Sequence, residues 1–232
     1  FQAEDGIRDP DMSRGLGDVY KRQASRSANM DRIIRTFLER RPDGVIVQLG
    51  CGLETTYHRC DNGKTHWYAV DLPHVIQYRR GLLPEPEREF YISGDAFVKD
   101  WIIKVRNDVP DAPVLVTAGG LLHYFEENKV ISLLRMIGQS GNMEVVFDTV
   151  NKKGMAMMQK KYMKQVGHAD AQMFFYVDAA KELAAKIRGN VKVIAEEPYY
   201  RYIPKNGLKL STKVSMAVSD QFKMVKMIHL KL

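Results

Sequence analysis

The sequence predicts an α/β protein built on a mostly parallel sheet, and three observations support this prediction. Short apolar runs rich in valine and isoleucine recur along the chain. Segments with apolar residues at helical spacing lie between them, and glycine, proline or aspartate marks most of the borders. Strands that alternate with helices of about ten residues are typical of βαβ units. Because the crossovers of such units are right-handed, we predict a Rossmann-like, doubly wound sheet with helices on both faces.

Seven segments are predicted as strands because each is short and largely apolar. The first, Val45–Leu49, is mostly β-branched and ends at Gly50, as expected of a strand that is buried on both faces. The others are a run around Phe90 and Ile92 and residues 66–71, 113–118, 143–148, 191–195 and 224–230. The predicted sheet therefore has seven strands.

Helices are predicted between the strands from the spacing of apolar residues. The first has such residues at i, i+3, i+4, i+7 and i+8, namely Met30, Ile33, Ile34, Phe37 and Leu38. Pro73 suits the first turn of a second helix, and Asp100 is predicted to cap a short helix over residues 101–106. Residues 130–137 and 178–187 have the spacing of two further helices.

Length and composition restrict the class of protein. A chain of 232 residues can bury one sizeable core. It contains no run of about 18 apolar residues, so no membrane-spanning helix is predicted. Cys51 and Cys60 are too few for a disulfide framework and are typical of a reducing compartment, which favours a cytoplasmic protein. The formal charge of +7 permits an acidic partner without requiring one.

The first 23 residues differ from the rest of the chain. They show no helical or strand periodicity, are dense in glycine, aspartate and arginine, and resemble the peptide encoded by sequencing-adapter DNA. A segment of that origin is excluded from fold reasoning, and a natural disordered tail is the alternative interpretation. We therefore expect a non-native or disordered leader over residues 1–23 and a single, N-terminally truncated domain over residues 24–232.

The turn after the first strand carries a functional signal. Gly50 and Gly52 form a Gly-x-Gly turn, but Thr55 stands where a dinucleotide-binding fingerprint has its third glycine. Glycines at this place let the main chain approach a ligand at a helix N-terminus. Further along, Asp71 ends the second strand, where a carboxylate can accept hydrogen bonds from both hydroxyls of a ribose. Together these features indicate a ligand that contains a ribose.

Asp95 and Ala96 follow the third strand at the same edge of the predicted sheet. Ligands of such sheets bind beyond the carboxyl ends of the strands. An acid there can accept a hydrogen bond from an adenine amino group, while the small Ala96 leaves room for the ring. The alternative is that Asp95 only caps a turn.

Several motifs between residues 45 and 150 resemble the leucine carboxyl methyltransferase and polyketide-synthesis O-methyltransferase family. The sequences LGCGLET at residues 49–55 and VDLP at residues 70–73 are far more specific in combination than alone. Further matches are Arg79-Arg80, Gly94-Asp95 with Asp100-Trp101, and LLHYF at residues 121–125.

This resemblance implies a class I methyltransferase that binds S-adenosylmethionine and methylates a carboxylate or hydroxyl oxygen of a small molecule. It implies Arg26 for the methionine carboxylate, although a solvated arginine on a helix edge is the alternative. The implied cofactor-binding residues are Arg26, Gly50, Gly52, Asp71, Leu72, Asp95, Ala96 and Gly119, with Asp71 at the ribose and Asp95 and Ala96 at the adenine.

The chain departs from the family pattern at Gly119, where the family often has an acid. This departure puts one polar contact near the methionine end in doubt. His123 lies near the expected position of the methyl group, but histidines in such places are more often packing residues than bases. The sequence therefore leaves the catalytic residue unidentified, and no metal ligand is predicted.

Two other functions remain open from the sequence. The methionine- and lysine-rich residues 151–175 could belong to an RNA methyltransferase, although their aromatic residues are clustered rather than interleaved with the charges. The same segment is also consistent with a substrate-facing cover or with an amphipathic helix that has a solvated basic face. The missing acid at Gly119 motivates a non-catalytic module that only binds S-adenosylmethionine. A small-molecule acceptor is favoured over nucleic acid, and no membrane partner is predicted.

Overall fold

The computed structural model describes the backbone of residues 10–165 and 172–232 and the side chains of residues 22–159 and 172–232. Its strands are β1 (Val45–Leu49), β2 (Trp67–Asp71), β3 (Glu89–Ser93), β4 (Val114–Ala118), β5 (Met143–Val150), β6 (Lys192–Pro198) and β7 (Val225–Lys231). Its helices are α1 (Pro10–Arg40), α2 (Thr56–Cys60), α3 (Pro73–Leu82), α4 (Asp100–Asp108), α5 (Glu127–Gly138), α6 (Lys152–Gln165), α7 (Ala180–Ile187) and α8 (Leu210–Gln221), with a 3-10 turn at Leu122–Tyr124.

Within these ranges the strands form one seven-stranded sheet in the order β3-β2-β1-β4-β5-β7-β6. Strands β1 to β5 are parallel to one another, and β7 runs antiparallel between β5 and β6. The predicted Rossmann-like, mostly parallel sheet is therefore confirmed. The strand order reverses at β1, which pairs with β2 on one side and β4 on the other. Ligand crevices of open α/β sheets lie at the carboxyl ends of strands beside such a reversal.

The seven predicted strands are all observed, with ends shifted by a few residues at most. The first helix differs more, because α1 begins at Pro10 rather than at Met30 and includes backbone of residues 10–23, which the sequence analysis left outside the fold. Once a helix is nucleated, extending it costs little, so a segment without apolar periodicity can continue it. Helix α8 is not among the helices predicted from the sequence.

The predicted cap of α4 is wrong. Asp100 is the first residue of the helix, and Lys99 occupies the cap position without a side-chain hydrogen bond to the backbone. An acidic side chain in the first turn is still favourable, because it faces the positive end of the helix dipole.

The sheet is buried on both faces, as the apolar strands predict. In β1 all five residues are buried, and alternate residues enter different clusters. Val47 packs in a cluster that includes Trp101 of α4 and residues of α5 and α7, whereas Ile46 packs in a cluster with Phe37 of α1 and Met216 of α8. Because successive side chains of a strand point to opposite faces, helices cover both sides of the sheet.

The two cysteines belong to separate parts of this core. Cys51 packs with Ala69, Ile76 and Tyr91, whereas Cys60 packs with the cluster beneath α1. Burial raises the pKa of each thiol to about 12. Both side chains are therefore protonated apolar packing groups at neutral pH.

None of the helices in the described part of the chain is long and apolar enough to cross a membrane.

A fully buried ion pair joins α3 to β3. The Arg79 Nη2 donates to Glu89 Oε1 at 3.1 Å, and neither side chain is exposed to solvent. The Arg79 guanidinium also lies 4.7 Å from the centre of the Tyr91 ring. Burial raises the pKa of Glu89 although Arg79 opposes that shift. Removing one charge of such a pair leaves the other buried without compensation, which is strongly destabilising.

We expect Arg79→Met to lower the free energy of unfolding by about 3 kcal/mol, because Glu89 would lose its partner in the interior. Urea denaturation measures this difference. Lys186→Met is the matched control, since it removes an ion pair with Glu127 in which the side chains are 52% and 45% exposed. Exposed pairs contribute about 0–1 kcal/mol. Equal effects of the two substitutions would contradict the prediction.

Candidate functional site

The turn after β1 adopts the glycine-dependent geometry that the sequence predicts. Gly50 and Gly52 have φ angles of +63° and +48°, in the region that favours glycine. The Gly50 N–H donates to the Val70 carbonyl at 2.9 Å, which ties the start of the turn to β2. A side chain at Gly50 would contact Leu121 at 3.0 Å, whereas the space beyond the Gly52 α-carbon is open. The main chain at Gly52 is therefore accessible to a ligand.

The carboxylate of Asp71 holds the turn to the end of β2. Its Oδ2 accepts a hydrogen bond from the Gly52 N–H at 2.8 Å, and its Oδ1 accepts one from the Leu72 N–H at 2.8 Å. Asp71 is half-buried and Leu72 is exposed. Each carboxylate oxygen can accept a further hydrogen bond, so the group can bind a ligand hydroxyl while it fixes the turn.

Arg79 supports the same turn from within the protein. Its Nη1 donates to the carbonyls of Gly52 at 3.0 Å and Glu54 at 2.8 Å. Charge-assisted hydrogen bonds from a buried guanidinium restrict the position of both carbonyls. The sequence analysis cited Arg79 only as part of a motif, because spacing alone does not show that a helical arginine reaches back to the preceding turn.

Asp95 lies beyond β3, beside the end of β2. The Gly94 N–H donates to the Asp71 carbonyl at 2.9 Å, which brings the two strand ends together. Asp95 Oδ1 accepts a hydrogen bond from the Phe97 N–H at 2.9 Å, so the alternative role as a turn cap is observed. Asp95 is exposed and Ala96 is half-buried. This leaves the Asp95 carboxylate accessible at the edge where adenine is predicted.

Arg26 of α1 lies across the turn that follows β4. Its Nε donates to Asp148 Oδ2 at 2.9 Å, while Asp148 Oδ1 accepts a hydrogen bond from the Gly120 N–H at 2.6 Å. A side chain at Gly120 would lie 2.7 Å from Arg26 Nη1, and one at Gly119 would lie 3.1 Å from Arg26 Cδ. The two glycines therefore make room for the arginine. Arg26 is paired with Asp148, which differs from the solvated arginine considered as an alternative.

Burial and charge oppose each other at this pair. Burial by itself lowers the pKa of Arg26, but attraction to Asp148 and to Tyr199 outweighs burial, and the pKa is raised. The guanidinium therefore remains charged throughout the pH range in which the protein is folded. Asp148 and Tyr199 are not predicted from the sequence, because neither belongs to a local motif.

A cavity of about 260 Å³ lies beside Arg26. Its lining combines charged or polar side chains with apolar ones and includes Arg26, His123, Asp148, Met158, Met173 and Tyr199. Methionine side chains adapt to varied apolar shapes. The cavity is small, and its position at the end of β4 and β5 places it at the same edge of the sheet as the glycine turn.

His123 is buried at this cavity. Burial lowers its pKa below the ordinary value, and repulsion by Arg26 acts in the same direction, although Asp148 opposes both. The imidazole is therefore neutral at pH 7. A neutral imidazole can accept a proton, which an imidazolium cannot.

The predicted site residues thus lie along one edge of the sheet. The strands β3, β2, β1 and β4 are neighbours in that order. At their carboxyl ends lie, in the same order, Asp95 and Ala96 beyond β3, Asp71 and Leu72 at the end of β2, Gly50 and Gly52 beyond β1, and Gly119 beyond β4. Sheet order, glycine turn and acid together define the class of Rossmann-like methyltransferases. The family model for leucine carboxyl methyltransferase matches residues 1–138. The chain therefore belongs to the leucine carboxyl methyltransferase family, whose cofactor is S-adenosylmethionine, and the predicted family is confirmed.

Curated relatives support this assignment. The S-adenosyl-L-methionine-dependent methyltransferase dpfgK of Gibberella zeae is 31% identical over 183 residues, which cover 72% of this chain and 59% of that protein. The tetracenomycin polyketide synthesis O-methyltransferase TcmP of Streptomyces glaucescens is 34% identical over 127 residues, which cover 54% of this chain and 46% of that protein. The chain therefore spans about half the length of the curated relatives it matches.

A solved structure extends the likeness of the fold to nearly the whole chain. A protein from Thermobifida fusca YX, described as a candidate methyltransferase, superposes with a TM-score of 0.65 over 95% of this chain and 88% of that chain. The two sequences are 15% identical, so the comparison bears on the fold alone.

We expect acidification to destabilise the fold through His123. Because burial lowers its pKa, the stabilising contribution is complete above about pH 6.5 and is lost as the pH falls through the lower value in the folded protein. Urea denaturation between about pH 7 and pH 5 should show a smaller pH dependence for His123→Gln than for the unsubstituted protein. The exposed His74 provides the control His74→Gln. An unchanged pH dependence in His123→Gln would refute the expectation.

Proposed function

We propose that this protein transfers the methyl group of S-adenosylmethionine to an oxygen atom of a small-molecule acceptor. The observation that carries the proposal is the convergence of three features at one sheet edge. These are the glycine turn held by Asp71, the arginine at the turn after β4, and a 260 Å³ cavity beside that arginine.

The cofactor is proposed to lie across the carboxyl ends of β3, β2, β1 and β4. Adenine would contact Asp95 and Ala96, with Leu72 against the ring, and the ribose hydroxyls would donate to Asp71. The methionine moiety would pass the turn formed by Gly50 and Gly52, where the main chain is open at Gly52, and reach Arg26 above Gly119. An arginine suits a carboxylate because its planar fork can donate to both oxygens.

The acceptor is proposed to bind in the cavity next to Arg26. If the methionine carboxylate meets Arg26, the sulfonium and its methyl group come close to the cavity wall. The cavity is of a size for a small molecule rather than a folded macromolecule. Its apolar lining by Met158 and Met173 suits a hydrophobic or aromatic body with an oxygen at one end.

The reaction needs alignment more than activation. As the acceptor oxygen forms its bond to the methyl carbon, the bond between that carbon and sulfur breaks, and S-adenosylhomocysteine leaves with the electron pair. The positive charge on sulfur already makes the thioether a good leaving group. The protein therefore has to align the acceptor oxygen with the methyl group and exclude water. A carboxylate acceptor needs no base. A hydroxyl acceptor must lose a proton, and the neutral His123, which lines the cavity, is a candidate to receive it.

We expect the protein to bind S-adenosylmethionine and S-adenosylhomocysteine, and Asp71→Ala to weaken both by about tenfold or more, because the turn and the ribose lose the same carboxylate. Isothermal titration calorimetry measures both affinities. Asp111→Ala is a matched control, since Asp111 is exposed and precedes β4 at the opposite end of the sheet. The cofactor site is wrong if the folded protein ignores both ligands or if Asp71→Ala binds them normally.

Methyl transfer itself is tested with labelled S-adenosylmethionine and a pool of small carboxylic acids and phenols. We expect label in the small-molecule fraction. Mild alkali distinguishes the two acceptor classes, because it releases methanol from methyl esters and leaves methyl ethers intact. Tight cofactor binding with no transfer to any small acid or phenol would favour the non-catalytic module, and label in added RNA would favour the RNA methyltransferase.

A further inference from the structure

The register of the sheet places Asp148 beside the turn after β4. Ala118, the last residue of β4, pairs with Phe147 of β5. Residue 148 is therefore level with Gly119, the first residue beyond β4. Strand β5 continues to Val150, so the Asp148 carboxylate is held on a rigid strand at the point where its neighbour bends away.

The Asp148 carboxylate spans the helix and the turn. One oxygen accepts from Arg26 Nε at 2.9 Å and the other from the Gly120 N–H at 2.6 Å. The bond to Arg26 uses Nε, at the inner side of the guanidinium, and the terminal nitrogens Nη1 and Nη2 lie over the α-carbon of Gly120. The arginine is thus fixed in orientation by a partner that does not occupy its terminal nitrogens.

The ion pair between Arg26 and Asp148 is largely buried, which affects how a ligand can bind there. The Asp148 side chain is 6% exposed and the Arg26 side chain 27% exposed. A long arginine side chain loses substantial rotamer entropy when a ligand orders it, and a partner that orders it beforehand lowers that cost. The pair as a whole is neutral. A zwitterionic amino-acid group, which is also neutral as a whole, suits it better than a simple anion does, because an anion would add a net charge to a partly buried site.

We infer that Asp148 is a positioning residue for the cofactor: it holds the Arg26 guanidinium over Gly120 so that the arginine can receive the amino-acid end of S-adenosylmethionine. The inference rests on the proposed cofactor site. Asp148 thereby supplies, from the neighbouring strand, the carboxylate that Gly119 cannot provide. If Asp148 acts in this way, binding of the amino-acid end of the ligand should depend on Asp148, whereas binding of the adenosine end should not.

The test compares two ligands that differ at one end. S-adenosylhomocysteine carries the amino-acid group, whereas 5′-methylthioadenosine has the same adenosine and sulfur but lacks that group. Affinities of both ligands are measured by calorimetry for the unsubstituted protein, Arg26→Met and Asp148→Asn. We expect the unsubstituted protein to prefer S-adenosylhomocysteine by about tenfold or more. Both variants should lose most of this preference and retain their affinity for 5′-methylthioadenosine, which also shows that they are folded.

A second pair of variants tests whether the charge is responsible. A side chain at Gly119 would start 3.1 Å from Arg26 Cδ, and Gly119 does not have a positive φ. In the Asp148→Asn background, Gly119→Glu should restore the preference for S-adenosylhomocysteine, whereas the isosteric Gly119→Gln should not. If Asp148→Asn does not fold, Asp148→Glu replaces it: this variant keeps the buried charge but moves the carboxylate by one methylene, and it should also weaken the preference for S-adenosylhomocysteine.

The outcomes separate this inference from the proposed function. An unsubstituted protein that binds neither ligand contradicts the proposed cofactor site itself. The preference for S-adenosylhomocysteine could be lost in Arg26→Met but remain within about twofold of its original value in Asp148→Asn. That result would overturn the role of Asp148 and would still be consistent with the proposed cofactor site. Equal behaviour of Gly119→Glu and Gly119→Gln, whether both restore the preference or both fail, overturns the assignment to charge.

Discussion

In the turn between β1 and α2, the N–H and the carbonyl of Gly52 are bound by side chains rather than by the backbone, and the site depends on these two side chains. Asp71 accepts from the Gly52 N–H on one side, and Arg79 donates to the Gly52 carbonyl on the other. Gly52 is therefore bound at both of its peptide groups by elements that follow it in the chain. An accessible main chain with a positive φ would otherwise be a mobile part of the fold. Here it is fixed before any ligand arrives.

Arg79 also links this turn to the core. Arg79 reaches the turn while it pairs with Glu89 on β3, and both side chains are buried. The guanidinium of this α3 residue thus connects the turn after β1 to the first residue of β3. Buried ion pairs contribute little net stability compared with apolar packing, but they define one geometry strictly because any other leaves a charge without a partner. A turn that binds a ligand benefits from having a single, fixed geometry.

The other half of the site is organised around Arg26. Helix α1, strand β5 and the turn after β4 meet there, and the segment that follows residue 171 closes over them. The Phe174 N–H donates to the His123 carbonyl at 2.8 Å, and the Val177 N–H donates to the Val150 carbonyl at 2.9 Å. These bonds hold the C-terminal part of the chain against the cavity. The Met173 side chain consequently forms part of the cavity wall.

The sequence by itself determined the strands, the doubly wound sheet, the glycine turn and the acid at the end of β2, because each depends on a local pattern with a known period or spacing. The start of α1 was not determined in this way, since a helix can extend through a segment without apolar periodicity. Only the tertiary structure decided that Asp148 faces Arg26 and that Arg79 supports Gly52. Those contacts depend on strand register and helix packing between residues far apart in the chain, and no local spacing encodes either.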